Sequence, residues 1–375
     1  MKIVFIDPQS YSNLALYDYN LLRMINNEIS FFGSYLFDQP IPQNVTFYPY
    51  FKYNKKKAIL KPISYVISLF KIMRHVLRIH PQVIHIQWIR LYYVDYLFLR
   101  WLISRNIKVV YTAHNVLPHN DFEKKRYYNI FKKYYNNVSE IIVHSDSTKK
   151  ELVENFNIID SKINVIPHGL LLDNCDEKTT NEYVKRIYAE NKLNGKLVFA
   201  CLGAQSIYKG FDLVEKLWVE NPSFHSNNQI HLIVAGKASN GLNYKSLESF
   251  SNVTLFDYFL SREEFDAVIR LADVVLLPYR KISQSGVLLS VLSKRKPVVV
   301  SKEGGLIDPF KCGNVGWIIG DASYDNLKKS MEEIIQNKSV VAQIANDNDV
   351  WEKINDMFSW GRIGELTLCL YKRYI

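Results

Sequence analysis

Cysteine is scarce: the 375 residues contain only Cys175, Cys201, Cys312 and Cys369. No two of them form a C-x-x-C pair, so neither a disulfide framework nor a structural zinc site is indicated, and a reducing compartment is the simplest inference. Long apolar runs are also missing, since nothing approaches the ~18 uninterrupted residues that a membrane-spanning helix needs. The nearest, LYYVDYLFLRWLIS from Leu91, is broken by Asp95 and Arg100 and reads as a buried helix. The opening MKIVFIDPQS has too short an apolar run for a secretory leader and fits a first buried strand. No G-x-x-x-x-G-K-[ST] occurs, no G-x-G-x-x-G follows the first strand, and there is no G-x-S-x-G elbow. These absences disfavour an NTPase, a nicotinamide dehydrogenase and an α/β-hydrolase.

What is present is an ordinary globular composition, 48% hydrophobic and 22% charged, in a chain long enough for two domains. Charge is unevenly placed. Residues 1 to 175 hold 22 Lys and Arg against 13 Asp and Glu, a balance of +9 out of the total +10, so the remainder is nearly neutral. A basic first half suggests an anionic surface or polymer as its partner, against the plainer reading of a solvated basic face.

Both halves alternate short β-rich runs with longer helical ones, the pattern of parallel sheets covered on both faces. In the first, KIVFID is followed by a helical stretch from Tyr17 to Phe32, with FYPYF as an edge strand. NKKKAILKPISYVISLFKIMRHVLR follows, with Ile63, Val66, Ile67, Phe70, Ile72, Met73, Val76 and Leu77 on one apolar face. VIHIQWI, KVVYTAHN and EIIVHS are strands. Thr148 and Glu151 read as a capping box, and INVIPHG closes this half. A polar linker from about Asp173 to Gly195 leads to the second alternation, which starts at KLVFACLG. The domains are expected at 1–175 and 176–350, with 351–375 as a terminal helix. Asp347-Asn348-Asp349 is a D-x-D in a polar segment and reads as a helix start.

In such sheets ligands bind beyond the carboxyl ends of the strands. His114 and Asn115 stand there after VVYTA, with His119 five residues on from His114, and each His is a candidate base or hydrogen-bond donor or else a structural residue. Gln87 and Trp88 end the preceding strand, and Trp88 offers a stacking face or core packing. His168 with Gly169 marks the crossing between halves. In the second half, Gly203, Lys209 and Gly210 follow a buried strand, and Lys209 is placed to neutralise phosphate oxygens. Opposite them, Gln284, Ser285, Gly286 and Val287 feed a helix amino end, where free N–H groups attract an anion. Together the two loops read as a two-sided diphosphate grip.

The succession VVYTAHN, IIVHS, INVIPHG, LGAQSIYKGFDL, LIVAG, ADVVLLPYR, SGVLL and KPVVVSKEGGL resembles the glycosyltransferases of family 4 and the related group-1 transferases of bacterial surface polysaccharide synthesis. The resemblance covers nearly the whole chain. It implies an α/β GT-B fold: two Rossmann-like domains facing across a cleft, acceptor site in the first, nucleotide-sugar site in the second, and a final helix crossing back onto the first. It further implies a nucleotide-diphosphate sugar as donor, a glycan or lipid-linked glycan as acceptor, no metal and no cofactor. Carried over, Lys209 would bind the diphosphate with Ser285, Gly286 and Val287. His114 would lie beside the donor sugar, and the loop around Tyr258 would line the base. The family commonly carries two Glu seven residues apart before its K-P-V strand; here Ser290 takes the second place, and Gln284 is the nearest polar residue to the first, near Ile282. The Arg that often accompanies the loop Lys is replaced by Ala204 or Ser206.

The expectation is a cytoplasmic transferase, peripheral at the inner face of the plasma membrane through basic-aromatic helices at Lys55 to Arg78 and Lys124 to Tyr135, without nucleic acid. The rivals are a degenerate protein of this fold that binds an anionic polymer, and a nucleotide-sugar epimerase.

Overall fold

A computed structural model describes residues 1–52, 60–117, 121–171, 175–239, 242 and 244–374. His119 and the start of the basic run at Lys55 lie outside these residues. The chain forms two compact units, Met1–Gly169 with Phe358–Ile375, and Leu170–Met357.

The first unit is built on seven parallel strands: β1 (Lys2–Asp7), β2 (Glu28–Ser34), β3 (Val45–Phe51), β4 (Val83–Ile86), β5 (Lys108–Thr112), β6 (Glu140–Val143) and β7 (Ile163–Val165). Their order is β3-β2-β1-β4-β5-β6-β7, so the chain reverses its direction of winding between β1 and β4. Four of the central strands are buried along their whole length or nearly so, which explains their continuous apolar runs.

The stretch expected to be one helix from Tyr17 to Phe32 divides. Only Asn13–Leu22 is helical, and Glu28–Ser34 pairs in parallel with β1 as an internal strand. The aromatic pair Phe31 and Phe32 there buries a ring on each face of the sheet, the strand alternation that helical periodicity obscured. The helix after β6 starts at Asp146, capped by the Ser145 hydroxyl, which accepts from Thr148 N–H. Thr148 therefore receives the cap instead of supplying it. The helix Trp360–Lys372, capped by Ser359, packs Trp360, Ile363, Leu370 and Tyr371 into the core made by Tyr17, Leu21 and Leu22.

The helix Leu60–Ile79 also differs from its reading. Tyr65, Leu69, Ile72 and Val76 enter the core, whereas Ile63, Ile67, Phe70 and Leu77 point outward, Phe70 being 60% exposed. The apolar residues thus occupy two opposite faces, and Lys71, Arg74 and Arg78 share the outer one. The helix contains no acidic residue.

The second unit has six parallel strands, β8 (Leu197–Leu202), β9 (Ile230–Ala235), β10 (Val253–Phe256), β11 (Val274–Leu277), β12 (Val298–Val300) and β13 (Gly316–Ile318), ordered β10-β9-β8-β11-β12-β13. Here the winding reverses between β8 and β11. Asp347 accepts from Val350 N–H and starts the helix Asn348–Met357, the structural role read for the D-x-D.

Candidate functional site

In the second unit the loops that leave β8 and β11 lie side by side, as expected from strands that are neighbours in the sheet. Gly203 turns the chain at φ +81°, and Gly210 at φ +71° comes so close to β11 that a Cβ there would sit 2.0 Å from the Pro278 carbonyl oxygen. Arg280 fastens the two loops. Its backbone N–H donates to Tyr208 O at 2.7 Å, and its guanidinium grips Asp212 through two bonds of 2.6 and 2.7 Å and also bonds Ile207 O. With its fork so used, Arg280 does not stand in for the arginine absent at Ala204 and Ser206. The Ser206 hydroxyl is itself buried and has no hydrogen-bond partner among the described residues.

This clamp holds Lys209 in place. Its Nζ lies 3.4 Å from where a Gly203 Cβ would be and 5.7 Å from the Tyr279 ring centroid, and burial lowers its pKa. No carboxylate or other acceptor among the described residues engages that ammonium, an expensive arrangement for a cation withdrawn from water. Across from it, Ser285 caps the helix Gly286–Ser293 by accepting from Leu288 N–H, and the amides of Gly286 and Val287 have no acceptor among the described residues. A Cβ on Gly203 would lie 3.1 Å from Val287 Cγ2, so the ammonium and the helix end border the same spot. An unmatched cation and two unmatched N–H groups there make an anion seat.

The other expected donor residues are spread more widely. Gln284 places its amide against Gly305, within 2.9 to 3.1 Å of a Cβ built there. Ser290 is buried one turn into the helix, in the row with Leu289 and Val291. Tyr258 follows β10, two strands from β8, and donates to Glu264 at 2.9 Å inside the cap of the helix Arg262–Leu271. A residue that the sequence reading passed over is Glu303. It follows β12 beside Gly304, whose Cβ would strike Ile282 O, so the chain at Glu303 passes near the place where the family's first Glu is lost. Partial burial raises its pKa and nearby Lys281 moderates the rise. The K-E-G-G run after the strand was the available signal.

In the first unit the strand ends β4, β5 and β6 converge on a cluster of imidazoles. His114 stacks on Trp88 with centroids 4.8 Å apart and planes 7° from parallel. Its Nε2 lies 2.8 Å from Gln87 Oε1 and its Nδ1 3.2 Å from His144 Nε2. Gln87 Nε2 lies 3.1 Å from His85 Nε2, and His85 also meets Thr112 Oγ1 at 2.7 Å and the Tyr371 hydroxyl at 2.5 Å. Gln87 is wholly buried, so it holds His114 from within instead of facing an acceptor. Asn115 is half-buried beside it. His168 bonds Gly169 O and packs on Tyr17 and Trp360; a Cβ on Gly169 would lie within 2.3 Å of the Trp360 indole. Tyr17 touches His114, His144 and His168 edge-on or tilted, a hub that nothing in the sequence singled out. Burial depresses His85 and His144 to about 3 and His168 to about 4, and it holds His114 well below its ordinary range, so all four are neutral at pH 7.

Beneath them, Asp7 and Asp18 form a buried carboxyl pair. Desolvation raises Asp7 to about 7 and, with the repulsion from Asp7, drives Asp18 well above the carboxylate range. Among the described residues, no group of three or more His, Cys, Asp or Glu side chains is disposed to hold a metal ion. No helix among them is long and apolar enough to cross a membrane.

Comparison with known proteins places this geometry. The sequence model of Glycosyltransferase Family 4 matches residues 30–173, and that of Glycosyl transferases group 1 matches residues 184–350. An uncharacterised glycosyltransferase of Methanocaldococcus jannaschii is 23% identical over 249 residues, 62% of this chain. That match spans 60% of the relative's length. Among solved structures, Anabaena HepE in complex with UDP superposes with a TM-score of 0.73 at 14% identity, over 100% of both chains. Sucrose-phosphate synthase of Thermosynechococcus elongatus gives 0.73 at 14% identity, covering 100% of this chain and 98% of its own. At such identities the likeness establishes the fold: two Rossmann-like domains of the GT-B class.

Proposed function

The chain belongs to the glycosyltransferases of family 4 and group 1, and from that premise we propose that it moves a sugar from a nucleoside diphosphate sugar to a glycan or lipid-linked glycan acceptor in surface polysaccharide synthesis. The observation that carries this reading is the unmatched ammonium of Lys209 beside the unmatched amides of Gly286 and Val287. Sugar transfer needs charge stabilisation where the diphosphate departs, and these groups supply it without a metal ion. HepE, solved with UDP and with UDP-glucose, supports a nucleotide sugar as the ligand class. His114 and Trp88 are proposed to border the donor sugar, with Asn115 towards the acceptor, while Gln284 and Glu303 meet sugar or ribose hydroxyls. Both nitrogens of His114 are already engaged and Asp7 is enclosed, which favours a retaining course that needs no protein base. Incubation with a panel of nucleotide sugars and glycan primers, with and without EDTA, tests the proposal. Release of nucleoside diphosphate with elongation of a primer is expected, unaffected by EDTA; epimerised donor, or no turnover with any donor, overturns it.

The acceptor's proposed location is an anionic bilayer. On the outer face of the helix Leu60–Ile79, Ile63, Ile67, Phe70 and Leu77 are each at least 48% exposed among Lys71, Arg74 and Arg78, with no acid in the helix. Apolar insertion and attraction to anionic headgroups then act together. Phe70→Glu should cut binding to phosphatidylglycerol vesicles about tenfold, as expected from losing an inserted ring worth roughly 1.5–3 kcal/mol. Equal sedimentation of both proteins, or equal binding to neutral vesicles, argues against the site.

A further inference from the structure

Three imidazoles of the first unit, buried His85 and His144 and half-buried His114, are joined in series, and one end of the series has a fixed polarity. The Ile166 carbonyl, 2.9 Å from His144 Nδ1, can only accept, so His144 carries its proton on Nδ1. In a neutral ring its Nε2 is then a lone pair, and the group facing it at 3.2 Å, His114 Nδ1, must donate. Neutral His114 in turn has a lone pair on Nε2, which faces the Gln87 amide. A half-turn of that amide about its last bond exchanges its oxygen and nitrogen nearly in place. With the NH2 toward His114, the oxygen accepts from His85 Nε2–H, which also reaches Thr112, and His85 Nδ1 accepts from the Tyr371 hydroxyl. Every group is satisfied and no ring is charged.

The opposite sense, Gln87 oxygen toward His114, sets the His114 and His144 lone pairs against each other unless one ring takes a second proton. A buried imidazolium is costly, and burial depresses both groups well below neutrality.

We propose that His144 is a positioning residue, which locks His114 with its proton on Nδ1 and its Nε2 as an acceptor. A substrate hydroxyl that reaches this nitrogen must therefore donate to it, taking the place of the Gln87 NH2. The consequence for transfer rests on the placing of His114 beside the donor sugar; the tautomer itself does not.

Long-range proton–nitrogen NMR on the 15N-histidine-labelled protein at pH 7.5 reads the tautomer directly. The expected result is a protonated Nδ1 and an unprotonated Nε2 at His114; a protonated Nε2 or an equal mixture overturns the inference. In His144→Phe the His114 proton should move to Nε2, where the Gln87 oxygen can take it, and kcat should fall about tenfold, the effect of one net hydrogen bond. His144→Gln, which returns an acceptor, should restore both. An unmoved tautomer in His144→Phe defeats the lock. A moved tautomer with unchanged kcat defeats its part in transfer. A wild-type protein that shows the Nδ1 tautomer yet uses no nucleotide sugar defeats the functional reading instead.

Discussion

Replacing Lys209 by Met should lower kcat/KM for sugar transfer about 10²- to 10³-fold, the loss of roughly 3–4 kcal/mol that removal of one preorganised charge-stabilising donor produces. Desolvation already penalises this ammonium, and no carboxylate among the described residues compensates it. Its favourable partner must therefore come from outside, and a departing diphosphate carries the charge it lacks. Methionine keeps the stem that fills the space near Gly203 and Tyr279 but removes the charge. The folded protein should consequently be as stable as the wild type or more so, because a partly desolvated cation that no carboxylate among the described residues pairs has been removed. Steady-state kinetics with the preferred donor and a thermal melt without ligand check the two halves together. Retained turnover refutes the diphosphate assignment. A fall in turnover accompanied by a fall in melting temperature would mean that Lys209 supports the fold and that its charge is matched by the protein.

The clamp that presents Lys209 shows where the sequence was readable and where it was not. Strand, loop, Lys209-Gly210 and helix follow each other in the chain, so local pattern was enough to place the lysine after a buried strand. That Gly210 is pressed against Pro278, and that Arg280 ties Asp212, depends on β8 and β11 being neighbours across more than seventy intervening residues. Helical spacing similarly could not tell which apolar residues of Leu60–Ile79 face the sheet, because Phe70 and Ile72 are both apolar and lie on opposite sides of the helix. The β2 strand was lost for a related reason. A segment buried on both faces has no polar face to reveal its period, and the preceding helix lent it a false one. Gln87 and His114 were recognised as strand-end residues, but His144 follows β6, and Tyr371, which meets His85 two residues before Gln87, lies on the helix Trp360–Lys372, so only the folded unit brings them together.

That same cluster sets how stability depends on pH. Burial lowers His85 and His144 to about 3 and His168 to about 4, and it holds His114 well below its ordinary range, so all four are neutral in the folded protein at pH 7. In the unfolded chain each takes up a proton near pH 6.5, so the unfolded state binds more protons between about pH 4 and 6.5, and stability is lost as pH falls through that range. Asp7, Asp18 and Asp95, whose carboxyls burial raises, act in the other direction. Their folded pKa values lie above the unfolded one, so the folded state holds the extra protons and stability falls as pH rises from about 4 through 7 and beyond. Four groups oppose three below pH 6.5, leaving a net slope on the order of 1 kcal/mol per pH unit. Above that pH the imidazoles no longer contribute and the three acids do. Urea midpoints of the first unit should therefore drop from pH 6.5 to 5 and decline again from pH 7 to 8.5. Asp18→Asn separates the two contributions: the amide imitates the protonated acid, so it should leave the midpoint at pH 5 nearly unchanged and raise it at pH 8. A flat profile between pH 5 and 6.5 would show that the imidazoles are not held neutral by burial. Destabilisation by Asp18→Asn at pH 8 would show that Asp18 is ionised and partnered in the fold, and not a proton-holding member of the pair.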